Sequence, residues 1–89
     1  MKLAQVKGTV TATAKDAALV GGTLLLADIV DGHGKVIEQA CVAFDTVGAG
    51  VGDTVLLSFG SAARLPQPTT AAPVDAAVIA VVDRVSVSK

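Results

Sequence analysis

Residues 3–15 read LAQVKGTVTATAK and set the class of the fold, because small or apolar residues alternate strictly with polar ones. A period of two over this length is typical of a long strand with one buried face. One side carries Ala4, Val6, Gly8, Val10, Ala12 and Ala14, and the other carries Gln5, Lys7, Thr9, Thr11, Thr13 and Lys15. The sequence therefore predicts an all-β protein with its first strand over residues 3–15.

Three further strands follow from the next apolar segments. Residues 23–30 (TLLLADIV) form the second, and DGHG at residues 31–34 predicts a hairpin turn, because Asp and Gly tolerate the positive φ angles of tight turns. The third strand is expected from about residue 35 to residue 44, with a bend on the way. Residues 54–59 (TVLLSF) form the fourth.

The last third of the chain is less regular. Residues 60–73 hold three prolines and no apolar periodicity, so we expect a loop with at most a helical turn and nothing to pack. Pro73 and Asp75 suit the first turn of a helix, which predicts a short helical turn through Ala77. The β-branched run that follows, as far as Val87, predicts the fifth strand.

Five strands with short connections favour a closed barrel, which hides the strand edges. At 89 residues there is room for a single domain, residues 1–89. We therefore predict a small five-stranded OB-like β-barrel with one short helical turn. Of the residues, 52% are hydrophobic, more than so small a monomer buries, and the surplus indicates an oligomer.

Composition also excludes several classes of function. The longest apolar run, residues 76–82, is far short of the roughly 20 residues of a membrane span. Gln5 and Lys7 interrupt any signal peptide, and the single cysteine fits a reducing compartment, so a cytoplasmic location is predicted. The net charge is −1 and the cationic residues are not clustered, so the sequence has no basic patch for binding the phosphates of nucleic acid.

Catalytic and cofactor chemistry lacks the residues that it needs. The loop GAGVGD departs from the dinucleotide motif G-x-G-x-x-G at Asp53, and it leads into a strand rather than a helix. His33 is expected in an exposed turn and Cys41 as a buried small side chain, so we predict no metal site, no cofactor and no enzyme activity. The alternative from another class is an OB-like module that binds single-stranded nucleic acid, although only two aromatic residues are present for stacking.

Four segments together resemble one family: MKLAQVKGTV at the start, DTVGAGVGD at residues 45–53, GSAAR at residues 60–64 and PVDAAVIAVVD at residues 73–83. They are similar to the vertex proteins of bacterial microcompartments, which are pentameric shell subunits of carboxysomes and of ethanolamine- and propanediol-utilisation compartments. The resemblance implies an OB-like barrel that forms a homopentamer and caps the vertices of a polyhedral shell in the cytoplasm. It also implies hexameric facet proteins as partners.

The resemblance supplies candidate positions for the subunit interface or the five-fold axis, where residues without large side chains let backbones approach closely. Arg64 is expected to hold a carboxylate such as Asp45 or Asp75 across the interface, or to be a solvated surface residue. Ordinary turns within one subunit are the alternative for the small residues. The candidate positions are Gly48, Ala49, Gly50, Ser61, Ala62, Ala63 and Arg64.

Overall fold

The computed structural model describes residues 1–13, 15–70 and 72–88. Within these residues five strands close into a barrel in the order β1-β2-β3-β5-β4, which confirms the predicted all-β fold class. The strands are β1 (Lys2–Val10), β2 (Leu24–Val30), β3 (Val36–Asp45), β4 (Thr54–Phe59) and β5 (Ala76–Val81). Neighbouring strands are antiparallel except β3 and β5, which are parallel.

β1 is shorter than its sequence pattern predicts. It ends at Val10, which pairs with Leu24, the first residue of β2. Beyond Val10 the alternation of Thr and Ala continues, but no strand within the described part of the chain lies opposite it, so the predicted extension to Lys15 is wrong. Ala14 lies outside the described residues.

The predicted hairpin between β2 and β3 is confirmed. The carboxylate of Asp31 accepts hydrogen bonds from the backbone N–H groups of His33 and Lys35, each at 2.9 Å, and Gly34 adopts a φ of +87°. The bend expected in the third strand lies at Ala40, whose φ is +63°. There the backbone N–H of Ala40 donates to the carboxylate of Asp28 on β2 at 3.2 Å.

Buried side chains form two clusters. The larger fills the barrel and comprises Ala4, Val6, Leu25, Ala27, Ile29, Ala43, Val55, Leu57, Ala76 and Val78. The second comprises Phe44, Ala63, Ala72, Val74 and Ala77. Phe44 and Ala77 follow inward-facing residues on their strands, so they point to the outer face and place the second cluster there. Gly22 lies so close to Phe44 that a β-carbon would overlap the ring.

The segment between β4 and β5 covers this outer face. It contains two 3-10 helices, Gly60–Arg64 and Gln67–Thr69. Ala63 and Thr69 are fully buried, and the hydroxyl of Thr69 donates to the carbonyl of Ala63 at 2.7 Å. The expectation that residues 60–73 have nothing to pack against is therefore wrong.

The two ends of β5 coincide with the two ends of its partner strand β4. Ala76 pairs with Phe59 and Val81 with Val55, so the helical turn predicted through Ala77 is wrong. The last contact along this edge is a hydrogen bond from the N–H of Val82 to the carbonyl of Thr54, the first residue of β4, at 2.8 Å. The predicted continuation to Val87 is therefore wrong as well. Helices in the described part of the chain are all too short or too polar to cross a membrane.

Candidate subunit interface

Large apolar side chains remain on the surface of the barrel. Three of the most exposed are Met1 at 83%, Leu65 at 81% and Ile37 at 67%. The full set is Met1, Val20, Val36, Ile37, Val42, Val47, Val51, Leu65, Val81, Val85 and Val87. The apolar surplus in the composition is thus located on the outside of the molecule.

Met1 joins two surface grooves into one apolar strip. The corner groove has a volume of about 440 Å³ and is lined by Met1, Ser58, Ala62, Leu65, Pro66 and Ile79. The hairpin groove has a volume of about 400 Å³ and is lined by Met1, Lys2, Leu3, Ile29, Val30, Ile37 and Glu38. Contiguous apolar surface of this kind often marks a contact site, so the strip is a candidate for a surface covered by another protein.

Residues 46–53, here called the glycine loop, are held by carboxylates at each end. Asp45 Oδ1 accepts the backbone N–H groups of Val47, Gly48 and Ala49 at 3.1–3.3 Å. Asp53 Oδ2 accepts the N–H of Gly50 at 2.8 Å. Gly48 has a φ of +81°, a conformation that favours glycine whatever lies nearby. Part of the glycine content is therefore explained by the turn itself.

Residues 60–64, here called the corner, differ in exposure from one residue to the next. Ser61 and Ala62 are exposed, whereas Ala63 is completely buried in the second cluster. In the glycine loop, Gly48 and Gly50 are exposed, while Ala49 is half-buried against the barrel core. Ala49 and Ala63 thus contact their own subunit, and the other small candidates remain free for contacts with another.

The two groups of small residues are not brought together. The glycine loop precedes β4 and the corner follows it, so the six residues of β4 separate them by about 17 Å. A single neighbouring backbone at one point of the surface therefore does not contact both groups. This separation is compatible with a subunit that uses two different faces.

Arg64 is exposed and hydrogen-bonded within its own chain. Its Nη1 donates to the carbonyl of Val74 at 3.1 Å, next to Asp75 in the sequence. The other carboxylate considered as its partner, Asp45, already accepts three N–H groups of the glycine loop through Oδ1. Asp75 is exposed and beside the arginine contact, so it is the more available of the two.

The few nucleophilic or titratable groups lie apart. Cys41 is half-buried, and desolvation, followed by the negative charges of Glu38 and Asp75, raises the pKa of its thiol, which keeps it protonated at neutral pH. His33 lies exposed in the hairpin turn. Among the described residues, no three His, Cys, Asp or Glu side chains are grouped so that they could hold a metal ion.

Sequence reasoning missed the residues that line the apolar strip. Leu65 and Pro66 lie in the proline-containing loop, and Ile37 belongs to a strand whose alternation is broken by the bulge at Ala40. A usable signal was present in Leu65, a large apolar residue outside any periodic segment. Nothing in the sequence showed that Met1 connects two grooves.

Comparison with known proteins identifies related sequences. The model of the family described as ethanolamine utilisation protein EutN/carboxysome matches residues 1–83. The carboxysome shell vertex protein CcmL of Synechococcus elongatus is 45% identical over 87 residues, covering 98% of this chain and 88% of that protein. The bacterial microcompartment shell vertex protein EutN of Salmonella typhimurium is 41% identical over 85 residues, covering 96% and 86%.

Solved structures agree with the sequence matches. Gloeobacter violaceus CcmL superposes with a TM-score of 0.91 at 44% identity, covering 98% of this chain and 90% of the other. GrpN, a pentameric microcompartment shell protein from Rhodospirillum rubrum, superposes with a TM-score of 0.89 at 37% identity, covering 100% of both chains. The barrel and its outer segment are thus shared with shell proteins, one of which is described as a pentamer.

Proposed function

The chain belongs to the EutN/CcmL family of microcompartment shell proteins, and on that premise we propose that five copies form a ring that caps the vertices of a polyhedral bacterial microcompartment. The role is structural, and its place is the shell of a compartment within the bacterial cytoplasm. Relatives more than 40% identical over nearly the whole chain are named shell vertex proteins.

The apolar strip across Met1 is the observation in this chain that supports assembly most directly. It joins two grooves of about 440 and 400 Å³ through one side chain that is 83% exposed. In a cyclic ring each subunit presents two different faces, one to each neighbour. We infer that the strip belongs to one of these faces, because burying it removes the apolar surface that a monomer leaves in water.

The exposed small residues fit the same assembly. Ala62 lines the corner groove, where a longer side chain would occupy space that the neighbouring subunit needs. Gly48 and Gly50 lie beyond the other end of β4, a strand about 17 Å long. In a ring whose subunits use two different faces, the corner and the glycine loop can each contact a neighbouring subunit. They would lie on opposite faces of the subunit, or one of them would lie nearer the five-fold axis.

Arg64 is proposed to add a charged contact across the interface. Its guanidinium keeps N–H groups beyond the one bound to Val74, and a planar fork matches a carboxylate in a way that an ammonium does not. Asp75 of a neighbouring copy is the favoured partner. An Arg64→Lys protein whose ring dissociates at the same concentration as the parent ring would argue against this pairing.

Partners and chemistry follow from the shell role. We propose hexameric facet proteins of the same compartment as the partners, and no catalytic activity, cofactor or membrane contact. The names of the relatives favour this role over binding of single-stranded nucleic acid. Co-purification of a tagged copy with a co-expressed hexameric shell protein tests the facet contact.

The deciding experiment is the native mass of the purified protein over a wide concentration range. We expect a species of five 8.8 kDa chains, measured by native mass spectrometry and light scattering. A monomer at every concentration would contradict the ring. A fluorescent oligothymidylate added at low salt completes the test, because tight binding by such a monomer would favour the nucleic-acid role.

A further inference from the structure

The outer edge of β3 is open. β3 pairs with β2 along its length, but with β5 only through Phe44 and Asp45. Among the described residues, no strand lies against the other side of residues 36–43. A strand edge of this kind presents unpaired backbone N–H and C=O groups, which are a template for another extended segment.

Residues 83–88, DRVSVS, are an unpaired segment with the pattern of a strand. They follow β5, are exposed throughout and belong to no strand. Val85 and Val87 alternate with Ser86 and Ser88, which is typical of a strand with one apolar face. The valines are 41% and 46% exposed, so this apolar face is only partly covered in the single chain.

We propose that residues 83–88 of one copy add as an antiparallel strand to the open edge of β3 in the next copy of the ring. The inference rests on the proposed pentamer, which brings one such segment to one such edge at each interface. The occupant is therefore a second copy of this chain, and the contact uses main-chain hydrogen bonds between neighbouring subunits.

Side-chain chemistry selects one register. When Arg84 lies opposite Glu38 in antiparallel pairing, Val85 falls opposite Ile37, because opposed positions run in reverse order along the two strands. The charged pair and the apolar pair then follow one another along the added strand, at the point where the register of β3 against β2 shifts. Parallel pairing with the same charged contact would instead place Val85 opposite Gln39, which leaves this valine without an apolar partner.

The segment does not pair with its own β3. Val87 comes within contact distance of Gly32, with its Cγ2 3.3 Å from where a β-carbon at Gly32 would lie. The segment therefore contacts the turn of its own hairpin through Val87 without joining a strand. One chain leaves both the edge and the segment unpaired, whereas a ring with two different faces pairs every copy.

A cysteine pair across the proposed contact tests the inference. In a Cys41→Ala background, Ile37→Cys and Val85→Cys are combined in one chain. Residues directly opposite in antiparallel strands have Cα atoms about 4.5–5.5 Å apart, which is within disulfide range. Mild oxidation is expected to give a ladder of covalent species up to five chains on a non-reducing gel, and reductant should return it to one chain.

The matched control moves the second cysteine by one residue, to Ser86→Cys, which faces the other side of the added strand. We expect its crosslinking yield to be about tenfold lower. Equal ladders from the two variants would overturn the proposed register and with it the proposal. A disulfide confined to single chains, or an uncrosslinked pentamer, would overturn the proposal while leaving the ring intact.

The native mass of the parent protein distinguishes failure of the proposed pentamer from failure of the proposed strand contact. If the parent is monomeric at every concentration, the proposed function fails first and this contact with it. If the parent is pentameric, charge exchange gives a second test that leaves the barrel core untouched. Arg84→Glu is expected to weaken assembly about twofold to fivefold, and adding Glu38→Arg should restore it. Absence of this rescue would count against the pairing.

Discussion

The glycine loop at residues 46–53 and the corner at residues 60–64 flank the same strand and are both rich in small residues, yet different forces hold them. Asp45 and Asp53 fix the loop by accepting backbone N–H groups. The corner is fixed by burial, since Ala63 is completely enclosed in the second cluster. A small side chain therefore serves backbone conformation in one place and close packing in the other.

Neighbouring alanines in these two regions also differ in their exposure. Ala62 is exposed and lines the corner groove, whereas Ala63 faces its own subunit. Ala49 in the loop is half-buried against the barrel core, so it resembles Ala63 more than Ala62. Fewer of the small residues are therefore available for a subunit interface than the motifs imply. Substitutions at these alanines test which of them contact a neighbouring subunit.

Ala62→Leu is expected to have the largest effect. The added carbons would fill the corner groove without entering the core of the subunit, so the ring should be lost while the barrel still folds. Native mass should fall from five chains to one, with an unchanged far-UV circular dichroism spectrum. Ala62→Ser, which adds little volume, is the control. A Leu variant that still forms the full ring would remove Ala62 from the interface.

Ala63→Leu should act on the subunit itself. A leucine in the fully buried site overpacks the second cluster and is expected to lower the free energy of unfolding by about 3 kcal/mol. Urea denaturation of Ala63→Leu beside Ala62→Leu, both at low concentration where any ring is dissociated, measures the difference. Equal stability of the two variants would mean that the corner is not held by burial.

Asp45→Ala tests the glycine loop in the same assay. Three backbone N–H groups lose their acceptor and turn to water, which is expected to cost about 1.5 kcal/mol. Asp53→Ala is the matched control, because its carboxylate accepts only the N–H of Gly50 and a smaller loss should follow. If the control loses as much stability as Asp45→Ala, then the number of hydrogen bonds does not set the rigidity of the loop.

Local chemistry made much of the fold predictable. The hairpin at residues 31–34 depends on Asp and Gly in adjacent positions, and the strand over residues 54–59 lies between clear turn signals. In both cases the deciding residues are neighbours in the sequence. The closed barrel followed from the number of strands and from the need to cover their edges.

The ends of the strands could not be predicted from their own residues. β1 stops at Val10 and β5 at Val81 because β2 and β4 begin opposite those points, although the alternating patterns continue. A strand forms only beside a partner strand, and the residues of one strand do not specify where its partner begins or ends. The unused part of one pattern, at Val85 and Val87, supplies the segment proposed to pair with a neighbour.

The second cluster and the apolar strip were invisible for a related reason. Ala63, Thr69 and Ala72 show no periodicity, and they are buried only because the segment folds over the outer face of β5. The family motifs directed attention correctly to the corner, but they did not distinguish Ala62 from Ala63. That distinction requires the three-dimensional surface.

Acid should distinguish a turn held by a carboxylate from a corner held by burial, with the smallest effect of the four. The exposed Asp31 carboxylate has a pKa below its ordinary value of 3.8, because the backbone N–H of Lys35, followed by that of His33, donates to it. A lowered pKa in the folded state stabilises the protein above the ordinary value, and this contribution is lost as pH falls through the lower folded pKa. Asp31→Asn should therefore flatten the fall in the urea midpoint as the pH drops below 3.8.

Ala63→Leu should instead shift the midpoint equally at every pH, because no ionisable group is introduced or removed at the corner. The contrast between the shapes of the two curves is the measurement, and it is independent of how stable each variant is in absolute terms. If the parent and Asp31→Asn lose stability in parallel as the pH falls below 3.8, then the carboxylate does not hold the hairpin turn. That result would contradict the distinction in which carboxylates fix the turns and burial fixes the corner.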